Sequence, residues 1–445
     1  MTLRAILRNN AKGGMMLMEV LLAIAIISIV IPAAVSVILS SNMVELTARR
    51  ELATLGDIRA LLSDGTESHI ALLNNDYPHQ LGKNNCRIGD AVGTLNTQLS
   101  QPITVADTLE SIVPNSFTSA QVTDVVGRNG FVYETLDSPI QSDPDFIIVN
   151  VKNPQASFIV SLINTGPGLS SVVVAGHYAY VANESSASQL QVIDIANRIS
   201  PVVVAKLKLP YVISTTTRPH AVSIYYDNGL IYLGTEKWAG NELNIIDVSN
   251  PLLPKYIGGL DTDTVVNAIT VHGYAYIAGA DVYQLRIVDV SNPYSPQLLS
   301  GISPAGFGVL EGKAVAVSSS SKLYFARAGG GFDNSSQYEL FSFDIHNDPL
   351  AAHALHSENI VGGVYGLVSI PKYMFIAVGN GVVEANGGRT AGGSIGMLDA
   401  DSLSIYRSIT LPTGPTSLMC DQYRLYAPLS GSKGFAIIDF SNDSH

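Results

Sequence analysis

A strand motif recurs along most of the chain at intervals of about 40 to 55 residues. Its seven copies are FIIVNVKNP (146–154), LQVIDIANR (190–198), LNIIDVSNP (243–251), LRIVDVSNP (285–293), LFSFDIHND (340–348), IGMLDADSL (395–403) and FAIIDFSND (435–443). A repeat of this length is one supersecondary unit, which buries its apolar face by stacking against copies of itself. The period therefore restricts the chain to a repeat architecture.

A second apolar segment with an aromatic residue precedes each copy of the motif. These segments are GFVY, HYAY, GLIY, GYAY, KLYF, KYMF and RLYA. Each unit opens with a further β-rich run, such as residues 265–271, and another run follows the turn after the motif. Four strands per unit at this period predict an all-β propeller of about seven four-stranded blades, with the first beginning near Ser119.

The motif resembles the LVIVD repeat, a family of propeller blades found in exported bacterial and archaeal proteins. The cleanest match is IIDVSNP (245–251), and the resemblance covers about residues 119–442, although the last three units depart from the Asn-Pro turn. Asp-x-x-Asn-Pro favours a tight polar turn before the outermost strand. We therefore interpret the aspartates of the motif as structural; they are Asp194, Asp247, Asp289, Asp344, Asp399 and Asp439.

The seventh unit reaches His445 with no residues left for its outermost strand, which would leave an exposed sheet edge. A short β-rich run, PITVADTL (102–109), lies just before the first blade. We predict that this run supplies the missing strand and closes the ring. Six complete blades with a different closure is the alternative.

The N-terminal region has the features of a membrane anchor. An apolar run from Met15 to about Leu39 exceeds the roughly 20 residues that a spanning helix needs. Basic residues at 4, 8 and 12 precede it, which favours a cytoplasmic N-terminus and an exported C-terminal part. Glu19 interrupts the run, and a carboxylate at membrane depth is costly without a partner.

The junction KGGMMLMEV (12–20) resembles the class III signal of type IV prepilins and pseudopilins, over about residues 8–60. The resemblance implies that a prepilin peptidase cuts between Gly14 and Met15 and methylates the new amine of Met15. It also implies that Glu19 pairs with the N-terminal amine of a neighbouring subunit in a filament. An uncleaved signal anchor is the alternative.

These features give four regions. Residues 1–14 are the predicted leader, and 15–64 form a long N-terminal α-helix that is transmembrane to about residue 40. Residues 65–100 have turn residues and little periodicity and are predicted to be a neck. Residues 101–445 form the predicted LVIVD-like propeller.

Composition excludes several functions. The formal net charge of −12 disfavours binding of nucleic acid through a basic field. Two cysteines, Cys86 and Cys420, make neither a disulfide scaffold nor a cysteine-rich zinc site. In an oxidising exterior these two can pair with each other, and two separate thiols are the alternative.

No arrangement of residues in the sequence predicts catalysis. The nine histidines are scattered and none forms an HExxH pair. Asp261 with Asp263, and Asp143 with Asp145, are weak candidates for calcium because neither loop has EF-hand spacing. We expect no cofactor and no enzyme. Long loops offer a binding surface instead, namely residues 328–336, residues 379–394 and the loop that carries Lys237 and Trp238.

The sequence therefore predicts a type IV pilin-like subunit, minor or tip-proximal, whose propeller head serves adhesion or the binding of an unknown ligand. The expected partners are a prepilin peptidase, other pilin subunits and the inner membrane before assembly. After assembly the protein would lie in an extracellular pilus or a periplasmic pseudopilus. The alternatives are a minor pseudopilin of a type II secretion system and a membrane-tethered propeller hydrolase.

Overall fold

The computed structural model describes residues 85–86, 104–106, 121–138, 142–210, 219–304, 310–318, 321–329, 338–351, 353–379, 392–431 and 434–440. The predicted leader, the predicted N-terminal helix and all of the predicted neck except 85–86 lie outside these residues. Within the described part of the chain, no helix is long and apolar enough to cross a membrane. The one helical element in that part is a 3-10 turn, Pro154–Ala156.

Seven antiparallel sheets form seven blades, which confirms the predicted propeller and its blade count. Strands are given from the central channel outwards. Blade 1 contains β3 (Gln121–Arg128), β4 (Phe131–Asp137), β5 (Phe146–Asn150) and β6 (Phe158–Ile163). Blade 2 contains β7 (Leu169–Ala175), β8 (Tyr178–Asn183), β9 (Leu190–Asp194) and β10 (Val202–Leu207). Blade 3 contains β11 (Ala221–Asp227), β12 (Leu230–Thr235), β13 (Leu243–Asp247) and β14 (Lys255–Leu260).

The remaining blades continue the same order. Blade 4 contains β15 (Val266–His272), β16 (Tyr274–Gly279), β17 (Leu285–Asp289) and β18 (Gln297–Ile302). Blade 5 contains β19 (Leu310–Val317), β20 (Lys322–Gly329), β21 (Leu340–Asp344) and β22 (Ala354–Glu358). Blade 6 contains β23 (Val364–Ser369), β24 (Tyr373–Val378), β25 (Ser394–Asp399) and β26 (Ile405–Thr410). Blade 7 contains β27 (Met419–Gln422), β28 (Arg424–Pro428), β29 (Phe435–Asp439) and β2 (Thr104–Ala106), with β1 (Asn85–Cys86) added beside β27.

The ring closes in blade 7, where strands from both ends of the described chain meet. Strand β2 pairs antiparallel with β29, with Thr104 opposite Ile437 and Ala106 opposite Phe435. This strand lies inside the run 102–109 and supplies the outermost strand of the blade. On the channel side, β1 pairs parallel with β27, and a disulfide joins Cys86 to Cys420.

The core lies between neighbouring blades. In each blade the second strand carries a buried aromatic side chain at the same position. These residues are Tyr133, Tyr180, Tyr232, Tyr276, Tyr324, Phe375 and Tyr426. Tyr180 of blade 2 stacks on Tyr226 of blade 3, with ring centroids 5.9 Å apart. The hydroxyl of Tyr324 donates to the carbonyl of Ala400 in the next blade, at 2.8 Å. The aromatic motif therefore joins blades as well as filling them.

The motif aspartates stabilise the turn between the third and fourth strands. The Oδ1 atom of Asp247 accepts the backbone N–H of Ser249 at 2.9 Å, and Asn250 accepts that of Leu252 at 3.2 Å. Blades 2 and 4 repeat both bonds, through Asp194, Asn197, Asp289 and Asn292. Hydrogen bonds from the hydroxyl and the backbone of Ser249 lower the pKa of Asp247. These bonds are two consecutive Asx turns.

Candidate functional site

The central channel holds a cavity of about 610 Å³. In six blades the innermost strand has a β-bulge, and the extra residue lines this cavity. The six residues are Thr123, Ser170, Val222, Asn267, Lys313 and Tyr365. A bulge re-aims a side chain out of the regular pleat. The volume lies in the range of small-molecule sites in proteins.

Several polar side chains of the channel wall are engaged in joining the blades. The hydroxyl of Thr123 donates to the carbonyl of Leu169 in the next blade at 2.6 Å, and Ser170 donates to Ala221 at 2.6 Å. The side-chain amide of Asn267 makes the corresponding bond from blade 4 to blade 5, at 2.8 Å. These three bulged residues therefore link neighbouring blades. A ligand in the channel would meet side chains whose donor groups are already hydrogen-bonded to the backbone of the next blade.

Asp124 is a buried carboxylate in the channel wall of blade 1. It accepts the hydroxyl of Ser171 at 2.7 Å and the backbone N–H of Val172 at 3.0 Å, both in blade 2. It also accepts the hydroxyl of Ser417, at the start of blade 7, at 3.1 Å. One carboxylate thus bridges three blades. This arrangement suits a structural anchor, because the oxygens that could bind a ligand already accept three bonds.

The N-terminal side of the ring reaches the channel. Cys86 lines the cavity together with the innermost strands, because β1 lies on the channel side of β27. The Cα atoms of Cys86 and Cys420 are 5.2 Å apart. The sequence identified this cysteine pair as a possible bridge, but it gave no sign that the first cysteine lies at the channel.

One face of the ring carries the loops between second and third strands and the connections between blades; we call it the loop face. Asp137, Glu184 and Glu236 end or follow the second strands of blades 1 to 3 on this face. Burial raises the pKa of Glu184, and the nearby Asp137 raises it further. His220 lies 3.7 Å from the carboxylate of Glu236. This sector of the loop face is therefore acidic.

Asp261 and Asp263, the weak calcium candidates, lie on the connection from blade 3 to blade 4. The ammonium of Lys237 lies 2.5 Å from Asp263 and lowers the pKa of that carboxyl. Asp261 accepts the backbone N–H of Asp263 at 2.9 Å. Among the described residues, no group of three His, Cys, Asp or Glu side chains could hold a metal ion. At this connection the cation next to Asp263 is therefore the ammonium of Lys237.

The other loop residues singled out in the sequence are divided between described and undescribed segments. The indole N–H of Trp238 donates to the carbonyl of Asn241 in its own loop, at 3.0 Å. The two glycine-rich segments connect second and third strands in blades 5 and 6, and most of their residues lie outside the described part. Gly14, Met15 and Glu19 also lie outside it.

A buried acceptor or donor precedes the third strand in five blades, and the sequence did not predict this role for it. The residues are Asp145, Gln189, Glu242, Gln284 and Glu339. Gln189 accepts the backbone N–H of Leu209 at 3.0 Å, and Glu339 accepts that of Ile360 at 2.7 Å. Each bond fixes the chain as it leaves the fourth strand for the next blade. The signal was available, since an acidic residue or glutamine stands immediately before four of the aligned strands that begin with leucine.

Two of these carboxyls look like candidate acids but are committed to the fold. Burial raises the pKa of Asp145 to about 6, although hydrogen bonds from Thr165 oppose the shift. Its two oxygens accept the backbone N–H and the hydroxyl of Thr165, at 2.7 and 2.8 Å. Glu242 accepts the backbone N–H of Thr262 at 2.8 Å, and burial raises its pKa too. A perturbed pKa here reports a buried structural bond.

Comparison with known proteins agrees with this geometry. The LVIVD repeat family matches residues 169–208, 238–262 and 266–302, which correspond to blade 2, the third and fourth strands of blade 3, and blade 4. The WD40 β-propeller domain of Doa1 is similar in structure, with 12% sequence identity and a TM-score of 0.51, over 77% of this chain and 98% of that one. A protein from Lactobacillus plantarum has 13% identity and a TM-score of 0.49, over 66% and 86% of the two chains. No curated protein sequence matches this chain.

The fold therefore defines a seven-bladed β-propeller. Segments of blades 2, 3 and 4 match the LVIVD repeat. The likeness to the Doa1 propeller, at 12% identity, shows the fold alone and says nothing about what this ring binds.

Proposed function

We propose that this protein is a type IV pilin-like filament subunit that carries the propeller as a binding head outside the cell. The observation that carries the proposal is the junction Gly13-Gly14-Met15 followed by Glu19 in an apolar run. The disulfide between Cys86 and Cys420 supports export, because such bonds persist in oxidising compartments. The partners are then a prepilin peptidase, other subunits of this class and the inner membrane before assembly.

The head acts by binding and not by turnover. The buried acids support this part of the proposal. Asp124, Asp145 and Glu242 all accept hydrogen bonds within the ring, so these carboxylates have a structural role. The ligand site lies at the loop face, where the connections between second and third strands are longest in the adjacent blades 5 and 6. A rigid ring that presents variable loops is a common scaffold for recognition.

A minor or tip-proximal position follows from the size of the head. The ring alone contains seven four-stranded blades, whereas subunits along a filament must pack their helices closely. A head of this width at every position would keep neighbouring helices apart. A single copy at the tip has no such constraint and presents its loops outwards.

Two substitutions at the N-terminal junction test the proposal in cells. Gly14→Leu should block processing, because a peptidase that cuts after a glycine cannot accommodate a bulky side chain there. Glu19→Ala should be processed but absent from sheared filaments, because the counterion of the neighbouring amine is removed. Glu45→Ala, a carboxylate removed beyond the predicted membrane segment, is the matched control and should assemble.

Mass spectrometry of the mature N-terminus and immunoblots of the filament fraction provide the readouts. Detection of residues 1–14 on the mature wild-type protein would refute the proposal. Normal processing with no surface filament, together with loss of protein secretion when the protein is deleted, would favour a pseudopilin of a type II secretion system.

A further inference from the structure

The ring is held shut by very short strands. Strand β2 contributes three residue pairs to β29, and no other described strand covers the outer edge of blade 7. Strand β1 contributes two residue pairs to β27. Strands this short, loaded from one end, separate one pair at a time. Tension arriving along the backbone from the N-terminal side would therefore act first on β1 and then on β2.

The disulfide changes the path of that tension. We propose that the Cys86–Cys420 bond is a force-bearing clamp, which passes tension from the N-terminal side directly to β27 and leaves the ring-closing strand β2 unloaded. The proposal rests on the proposed function for the source of the tension, since a filament subunit is tethered by its helix and pulled by its head. Its structural basis is the position of Cys420 inside the ring.

Cys420 lies in a strand that is bonded on both sides and to the next blade. It is fully buried in β27, which has β1 on one side and β28 on the other. The sulfur of Met419 accepts the backbone N–H of Gly127 in blade 1 at 3.1 Å. On the other side, Asp421 accepts the backbone N–H of Asn129 at 3.0 Å. Both neighbours of Cys420 are thus bonded to blade 1.

A further bond across the same seam comes from the next strand. The guanidinium of Arg424 donates to the carbonyl of Val151 in blade 1 at 2.7 Å, and its Nε donates to Asp439 at 2.6 Å. Pulling Cys420 out of β27 must break the sheet and these bonds together, whereas peeling β2 breaks three pairs in sequence. The clamp therefore moves the load from the three residue pairs of β2 to a strand that these bonds join to blade 1.

The disulfide also determines which part of the chain can extend under tension. The two cysteines are separated by 334 positions in sequence, and the loop they close contains β2 and blades 1 to 6. With the disulfide intact, tension passes from residue 86 to β27 through the two sulfur atoms and not through the residues of that loop. With the bond reduced, the whole path runs through β2 first.

Single-molecule pulling on the purified full chain in a lipid nanodisc tests the clamp. One handle is attached at an unnatural reactive side chain at position 84, next to β1, and the other at a second such side chain at position 253, on an exposed turn of blade 3. The oxidised chain should show no opening step before the ring breaks. After reduction, an early low-force step of up to ~120 Å should appear, the extended length of the chain between residues 86 and 121.

The double variant Cys86→Ser/Cys420→Ser should behave like the reduced wild-type chain in the absence of reductant. Reduction of the already folded wild-type protein covers the case in which the variant fails to fold. An early step in the oxidised wild-type chain, or equal traces before and after reduction, would overturn the proposal. Pulling requires neither processing nor assembly, so these outcomes are separate from failure of the proposed filament function.

Discussion

At the scale of single residues, Glu134 is the least expected side chain in the ring. It lies on β4 and is fully buried, and neither carboxyl oxygen has a hydrogen-bond partner among the described residues. Val125 and Ile147 lie opposite it on the two adjacent strands. Blades 2, 3 and 4 carry Val181, Leu233 and Ile277 at the equivalent position. Burial raises the pKa of Glu134 to about 8, so the carboxyl is neutral at pH 7.

Replacing this carboxyl by the side chain that blade 3 uses should stabilise the ring. An unsatisfied buried polar group costs about 1–3 kcal/mol, so Glu134→Leu should raise the free energy of unfolding by about that amount near pH 4.5 and by more at pH 7. The folded protein retains a proton that the unfolded chain releases above pH 4.5, the ordinary value for Glu. The free energy of unfolding of the wild-type protein, as far as it depends on this group, is therefore highest below about pH 4.5 and falls as the pH rises to about 8.

Urea unfolding of wild-type and variant between pH 4.5 and 8.5 measures the effect, and the difference between the two curves should grow with pH. Glu236→Leu removes a carboxylate whose side chain is 53% exposed and serves as the control, with no such trend. A difference between Glu134→Leu and wild type that does not change with pH would contradict the protonation argument.

Glu134 also shows where the sequence stops being informative. The segment GFVYET could be aligned with HYAYVA and GLIYLG, and its place on a second strand was predicted from that alignment. That the glutamate points into the core follows only from the register of three strands. The buried residues before the third strands show the opposite. Their recurrence was visible in the sequence, but their role as acceptors became clear only from their hydrogen-bond partners on the way to the next blade.

At the scale of elements, the closing strand depends on very few residues. Strand β2 is separated in sequence from β29 by more than 300 residues, and its local sequence is only a short β-rich run. The spacing of the repeats indicated that a strand was missing, so its existence and its partner could be predicted. Strand β1 could not be predicted, because two residues in a segment without periodicity carry no pattern.

Two adjacent proline substitutions test this strand. In an antiparallel pair, backbone N–H groups alternate between the partner strand and the outside. One of Thr104→Pro and Val105→Pro therefore removes a hydrogen bond to β29, and the other removes a group that faces solvent. We expect one variant to lower the melting temperature by several degrees and the other to change it little, so that each serves as the control of the other. Unchanged melting temperatures in both would show that β2 does not hold the ring.

At the scale of the whole molecule, the period of the repeat determined the architecture because each blade needs a neighbour to cover its core. Tyr180 against Tyr226 and Tyr324 against blade 6 show how each contact is shared between two units. In contrast, the path of the chain into the ring was not encoded by any repeat. It depends on the short strands β1 and β2 and on one covalent bond between two distant cysteines.

That bond should stabilise every blade and not only the one that contains it. Closing a loop of this length restricts the unfolded chain, by ~6 kcal/mol in the chain-entropy model. Reduction should therefore speed the slowest amide exchange by about four powers of ten, since each ~1.4 kcal/mol is tenfold. Hydrogen exchange followed by mass spectrometry can compare β17 in blade 4, on the far side of the ring, with β28 in blade 7. We expect the same acceleration in both strands, and the Cys86→Ser/Cys420→Ser variant should exchange like the reduced wild-type protein with or without reductant. An acceleration confined to blades 7 and 1 would mean that the seam opens locally while the other blades remain folded, and that the disulfide acts on the seam alone.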